Sequence, residues 1–324
     1  MKAMTRRTYG EADVLESSIV DPPAVADDEV LIEVRAAAVD PGVWIFMTGR
    51  PWAVRLASGI RRPRIPILGL DVAGVISAVG ARITRFRAGD EVYGTCRSGS
   101  FAEFATARET QLAIKPSGIS FAQAAATPVS GVTALTSIRT AGVRPGHHVL
   151  ITGAGGGVGS FAVQLAKARG ATVTGVCSTS KADLVRSLGA DAVIDYTAEE
   201  IDKDGAVYDV ILDLAGSRPL SLLRRAAKPR ATIALVGGGH TKGRVMGGFH
   251  RQMAAPLIAP FLSQKLKGVT SFVRVPELEE LTRHIESGTL TPTVGATYPL
   301  AEAAEALRDH TTSRSPGKIA ITVP

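Results

Sequence analysis

His148-Val149-Leu150-Ile151-Thr152, then Gly153-Ala154-Gly155-Gly156-Gly157-Val158-Gly159, then Ser160-Phe161-Ala162-Val163-Gln164-Leu165-Ala166 follow one another near the middle of the chain. The first run is apolar and β-branched, the second is a glycine turn, and the third has helical apolar spacing. Small residues at such a turn let the backbone approach a pyrophosphate, and the helix behind them aims its N-terminal dipole at the phosphates. The best frame is Ala154-x-Gly156-x-x-Gly159, a dinucleotide fingerprint with alanine at its first position. The plain alternative is a tight turn that only packs the helix on the sheet. The strand before it and the helix after it favour the nucleotide.

Working outward, residues 124–273 alternate strands with helices. Strands are expected at 147–152, 172–177, 192–195, 208–214, 232–236 and 268–273, and helices at 158–169, 181–188 and 218–227. That alternation predicts an α/β fold with a doubly wound parallel sheet, a Rossmann domain. Residues 1–123 read as a β-rich domain, with strands at 29–34, 72–76, 89–94 and 101–105. The segment 274–324 carries two helical patterns and a strand at 318–323, and is expected to return to the first domain.

A length of 324 residues exceeds what one core usually serves, in keeping with two domains. Hydrophobic residues make up 45% of the chain, but no apolar run approaches the ~20 residues of a membrane span. No membrane partner is expected, and the N-terminus shows no export signal. Cys96 and Cys177 are the only cysteines, too few for a disulfide framework, and a reducing cytoplasm fits. The net charge of +7 raises the question of nucleic acid. The densest basic stretch, with Arg50, Arg55, Arg61, Arg62 and Arg64, lacks the interleaved aromatics of a single-strand binder, so no nucleic-acid partner is expected. We read it as a solvated face, with a funnel for an anionic ligand as the competing reading.

A chain that prefers NAD places an acid at the end of the second strand, about 20 residues past the glycine turn. Here that strand ends Val176-Cys177-Ser178-Thr179-Ser180-Lys181. Hydroxyls at Ser178 and Ser180 and the ammonium of Lys181 suit a 2′-phosphate, so NADPH is the expected cofactor. An ordinary helix start, capped by Ser180, is the alternative.

These motifs, with Leu188-Gly189-Ala190-Asp191, Pro66-Ile67-Leu68-Gly69-Leu70-Asp71-Val72-Ala73-Gly74 and Phe86-Arg87-Ala88-Gly89-Asp90-Glu91-Val92, resemble the zinc-independent quinone oxidoreductase branch of the medium-chain dehydrogenases and reductases. The resemblance spans essentially the whole chain. It implies a GroES-like catalytic domain, a Rossmann domain, NADPH in the cleft between them, and a homodimer. It also implies that Gly155, Gly156, Gly157, Val158 and Gly159 hold the pyrophosphate and that Ser178, Lys181 and Tyr196 clamp the 2′-phosphate, with Arg314 as a second cation. Thr133 would lie beside the nicotinamide, and the backbones of Val236, Gly237, Phe272 and Val273 near its carboxamide. Packing is the alternative for Tyr196, and a solvated side chain for Arg314.

Zinc-dependent relatives need a histidine where this chain has Gly69-Leu70-Asp71, and all six histidines lie outside the first 123 residues, so no metal site is expected. Hydride addition to a quinone or to the β-carbon of an α,β-unsaturated carbonyl then becomes the expected chemistry. Negative charge builds on the substrate oxygen and calls for a donor. Many family members have asparagine at the position of Asp40 and a tyrosine nearby; this chain has Asp40 and Trp44. Asp40, solvent and a cofactor ribose hydroxyl all remain open as the proton source. The competing functions are a catalytically silent NADPH-binding sensor and a zinc-free alcohol or ketone oxidoreductase.

Overall fold

The computed structural model describes residues 1–237, 249–312 and 315–324. Two compact units divide the chain, Met1–Val132 with Phe272–Pro324, and Thr133–Ser271. Residues 124–132, assigned to the second part on sequence, belong to the first unit, and the division falls inside the helix Pro128–Ala141.

Among the described residues the unit Thr133–Ser271 holds six parallel strands in the spatial order Ala192–Asp195, Thr172–Cys177, His148–Thr152, Tyr208–Asp213, Ala227–Leu235, Lys265–Gly268. Counted along the chain this is 3-2-1-4-5-6, the order of the dinucleotide-binding doubly wound sheet. Its central strands are apolar without alternation because both faces are covered; Val149, Leu150, Ile151, Ile211 and Leu212 are all buried. The helix Gly157–Ala168 buries Phe161, Ala162, Val163, Leu165 and Ala166. Past its end the chain turns at Gly170, in the left-handed region at φ +73°.

Several boundaries differ from expectation, and the fifth strand is Ala227–Leu235 rather than 232–236. The sixth strand is Lys265–Gly268 rather than 268–273. Only Leu266 of its first three residues is buried, and flanking lysines are typical of an exposed sheet edge. Val269 still donates to Leu235 O (3.0 Å), after which the chain leaves the sheet. The helix expected at 218–227 is Leu220–Ala226, with Pro219 at its N-cap. The one expected from Lys181 is Ala182–Ser187, preceded by a single tight turn, Thr179–Lys181.

The first unit is built on a seven-stranded sheet. Its main path runs Val294–Pro299, Lys318–Thr322, Glu29–Val39, Asp71–Val79, Glu91–Thr95, Leu112–Ile114, and Phe104–Arg108 also pairs with Glu29–Val39. The carboxyl-terminal strand lies antiparallel to Glu29–Val39, with Ile319 opposite Val39. Ile32, Val34, Val72, Ile76, Val92 and Leu112 form the core, each large apolar side chain contributing about 1.5–3 kcal/mol by leaving water. The strand expected at 101–105 lies at Phe104–Arg108. Phe101 is a buried core residue whose N–H donates instead to Leu68 O (2.9 Å).

Candidate functional site

In the doubly wound unit the strand order reverses between His148–Thr152 and Tyr208–Asp213, and ligands of such sheets bind at the carboxyl ends of the strands flanking that point. The glycine turn leaves the first of them there. Gly153 has φ +70°, and Gly156 is the extended N-cap of the following helix, its N–H donating to Gly153 O (3.0 Å). A Cβ on Gly159 would stand 2.1 Å from Gly153 O and 2.7 Å from Ala154 Cα, so only glycine lets helix and turn touch. A Cβ on Gly155 would meet Lys181 Cβ at 2.7 Å, which places the lysine stem against the turn. The helix N-terminus leaves unpaired backbone N–H groups at this crevice, a ready anion site. The cradle fits a dinucleotide pyrophosphate.

Ser178 sits at the N-cap of the turn Thr179–Lys181 without a side-chain cap bond, and its Oγ lies 3.2 Å from Ser180 Oγ. The alternative reading, Ser180 as helix cap, does not hold, because Lys181 is the N-cap of Ala182–Ser187. Asp195, at the end of the third strand, is the nearby acid. Its carboxylate accepts from Thr179 Oγ1 and from Thr197 Oγ1 (2.7 Å) and N (2.9 Å), and these bonds hold its pKa below the usual range. Tyr196 is exposed, and the guanidinium of Arg218 stands over its ring at 5.8 Å. Sequence reasoning missed Arg218. Ser178, Ser180, Lys181 and Tyr196 thus stand on neighbouring strand ends, and Arg314 lies outside the described residues.

Behind the crevice a buried carboxylate fixes several segments at once. Asp213 Oδ1 accepts from Thr152 Oγ1 (2.9 Å) and Gly216 N (3.3 Å), and Oδ2 lies 3.0 Å from Arg251 Nη2. The backbone N–H groups of Val236 and Gly237 both donate to Asp213 O (3.1 Å), and Gln252 Nε2 donates to Val236 O (2.5 Å). A Cβ at Gly237 would fall 1.9 Å from Leu214 O. Val236 and Gly237 are therefore held by groups that no local motif announced. Thr133 Oγ1 shares a hydrogen bond with Ser271 Oγ (2.8 Å). Phe272 and Val273 follow in the first unit, where Val273 lines a cleft of about 550 Å³ with Arg97, Arg108 and Arg274.

The first unit holds a second constellation. Asp40 caps the helix Pro41–Thr48, its Oδ1 accepting from Gly42 N (2.6 Å) and Val43 N (3.3 Å). Its Oδ2 is buried and has no hydrogen-bond partner. Asp71 is fully buried, accepts from Val129 N (3.0 Å), and lies 3.5 Å from Lys318 Nζ, which also donates to Val39 O (2.9 Å). Burial pushes the Asp71 carboxyl up to about 7; Lys318 pulls it down and the Asp40 charge adds to the rise. Asp71 thus has one ammonium beside it in a dry site, close enough to Asp40 to feel its charge. Cys96, nearby, is pushed up to about 12 by burial and stays a thiol. Trp44 packs at the edge of the same core. The signals available in sequence were the acid of Gly69-Leu70-Asp71 and a lone lysine opening an apolar strand.

Among the described residues no group of three or more His, Cys, Asp or Glu side chains could hold a metal ion, and no helix is long and apolar enough to cross a membrane.

Residues 26–137 match the alcohol dehydrogenase GroES-like domain, and residues 188–321 match the zinc-binding dehydrogenase family model. A 2-methylene-furan-3-one reductase of Solanum lycopersicum is 33% identical, the alignment covering 99% of this chain and 79% of the relative. A chloroplastic NADPH-dependent alkenal/one oxidoreductase of Arabidopsis thaliana is 35% identical with the same coverage. The solved quinone oxidoreductase of Coxiella burnetii superposes with a TM-score of 0.85 at 25% identity, covering 100% of this chain and 99% of that one. The glycine cradle belongs to a nicotinamide-dependent oxidoreductase fold, and the chain belongs to the zinc-independent, quinone oxidoreductase-like branch of the medium-chain dehydrogenase/reductase superfamily.

Proposed function

We propose that the protein is an NADPH-dependent, zinc-independent reductase that acts on quinones or on the carbon–carbon double bond of α,β-unsaturated carbonyls. The observation that carries the reading is the glycine cradle beside a second strand that ends in Ser178, Ser180 and Lys181 instead of an acid. The substrate class rests on the relatives named for enone and alkenal reduction. When bound, NADPH supplies the hydride.

The chain's own residues do the rest. Backbone N–H groups from Gly155 to Gly159 hold the pyrophosphate. Ser178, Ser180, Lys181 and Tyr196 hold the 2′-phosphate, with Arg218 adding a cation beside Tyr196. Val236 and Gly237, pinned by Asp213 and Gln252, present backbone groups to the carboxamide, and Thr133 with Ser271 offers hydroxyls near it. The charge that develops on the substrate oxygen calls for a donor, and Asp40, with its buried and unpartnered Oδ2, is the side chain we assign to that role.

A homodimer, as the family resemblance implies, is the expected assembly, which light scattering tests. The buried free thiols Cys96 and Cys177 suit the reducing cytoplasm. The functional test is cofactor oxidation with a panel of enones, alkenals and quinones against saturated aldehydes and ketones. Turnover of the first group with NADPH supports the reading. Tight NADPH binding without any turnover would make the protein a silent sensor, and turnover of saturated ketones alone would make it a ketone reductase.

A further inference from the structure

The basic stretch from Arg50 to Arg64 carries more than charge. Within it and at its end, four large apolar side chains stand in solvent: Trp52 at 54% exposure, Leu56 at 73%, Ile60 at 67% and Ile65 at 49%. Single exposed apolar residues are ordinary, but a solvated basic face gives no reason for four in one short segment.

The segment is a built feature. Short helical turns span Trp52–Val54 and Arg55–Ser58. Gly59 then takes φ +116°, with the position of a Cβ only 2.1 Å from Arg62 O, so the chain doubles back tightly. Arg64 N donates to Ser58 O (2.8 Å), closing the loop. Tyr9 Oη pins its base through Ser58 Oγ (2.8 Å) and Gly59 O (2.6 Å), and Arg55 lies over the Tyr9 ring at 4.5 Å while donating to Gly49 O (3.0 Å). Arg55 is consumed by this scaffold. Among the described residues Arg61, Arg62 and Arg64 have no ion-pair partner, and no Asp or Glu occurs between Arg50 and Leu70.

We propose that this knob docks the protein on the surface of an anionic lipid membrane, with Trp52, Leu56, Ile60 and Ile65 entering the boundary between headgroups and acyl chains while Arg61, Arg62 and Arg64 meet lipid phosphates. Protruding apolar side chains among unneutralised guanidiniums match that boundary, where an aromatic and aliphatic wedge is buried and cations are attracted to the surface potential. A nucleic acid offers nothing to the isoleucines. The docking does not depend on the reaction proposed above, and it would hold the protein where apolar quinones and enones concentrate.

The test is sedimentation of the full chain with vesicles of phosphatidylcholine alone and of phosphatidylcholine with phosphatidylglycerol in equal parts. Binding to the anionic vesicles, at least about tenfold above the neutral ones and weakened by salt, is expected. Leu56→Ser with Ile60→Ser should lower it about tenfold or more by removing the wedge. Arg61→Gln with Arg62→Gln and Arg64→Gln should lower it about a hundredfold, following roughly 1 kcal/mol per basic residue. Unchanged circular dichroism and melting temperature of both variants verify that the fold is intact. The proposal fails if the wild type ignores anionic vesicles, if it binds neutral ones equally, or if either variant set leaves binding intact. Variants that dissociate a dimer but still bind vesicles would assign the knob to a second copy. A raised KM for an apolar quinone with vesicle binding unaltered would assign it to the substrate's path.

Discussion

In the doubly wound unit the groups we assign to the site are neighbours in the chain: Gly153 to Gly159 form one turn and Ser178 to Lys181 follow the next strand. In the other unit the buried cluster gathers Asp40, Asp71 and Lys318 from segments far apart, the last two separated by 247 positions. The first site relies on backbone N–H groups, hydroxyls and the Lys181 ammonium, which solvent can satisfy when no ligand is present. The second confines charge away from water, where every missing partner is costly. One unit should therefore lose binding when altered, and the other should lose stability or its pH response.

The largest expected effect is in the charged cluster. Lys318→Met strands Asp71 beside Asp40 and should destabilise the protein by about 3–5 kcal/mol near pH 8. The loss should be smaller near pH 5, where protonation relieves Asp71. Denaturant melts at the two pH values check this, and equal losses would deny Asp71 its role. In the nucleotide unit Gly159→Ala pushes a methyl group into Gly153 O. NADPH and NADH should both bind at least about a hundredfold more weakly, close to 2.7 kcal/mol, by calorimetry. Unaltered affinity would show that the helix moves freely against the turn.

Lys181→Ala sharpens the contrast within the cradle. It should cost NADPH about 2 kcal/mol, the range of a charged hydrogen bond, and leave NADH nearly untouched. Equal losses would assign the lysine to packing against Gly155. The smallest effect is a slope, at most about 1.4 kcal/mol per pH unit. Burial raises the Asp71 carboxyl from 3.8 to about 7, so the folded chain keeps a proton that the unfolded chain has released. That contribution to stability is complete below about 4 and is lost as pH rises through about 7. Asp71→Asn should flatten this part of the stability profile, which thermal melts across the range will reveal.

The same contrast explains what was legible beforehand. The strand order and the cradle follow from local patterns: an apolar strand, a glycine turn, an amphipathic helix. The sixth strand was misplaced because the apolar residues Val269 and Val273 outweighed Lys265-Leu266-Lys267, a pattern that suits an exposed edge. Asp40 was legible as a residue before Pro41, and its place as a helix cap with one oxygen left over was not. Lys318 read as one more residue of a terminal strand, since nothing local shows that its ammonium reaches Val39 O and Asp71. Asp213, Arg251 and Gln252 escaped for the same reason, because their meeting depends on where distant strand ends and a helix come together.

The central claim is that hydride reaches carbon at an electron-poor double bond. It is tested most directly by supplying NADPH deuterated at the transferred C4 position with an α,β-unsaturated ketone and locating the label in the product. The account predicts deuterium at the β-carbon with the carbonyl intact. Deuterium on a carbinol carbon, with the double bond retained, would contradict it.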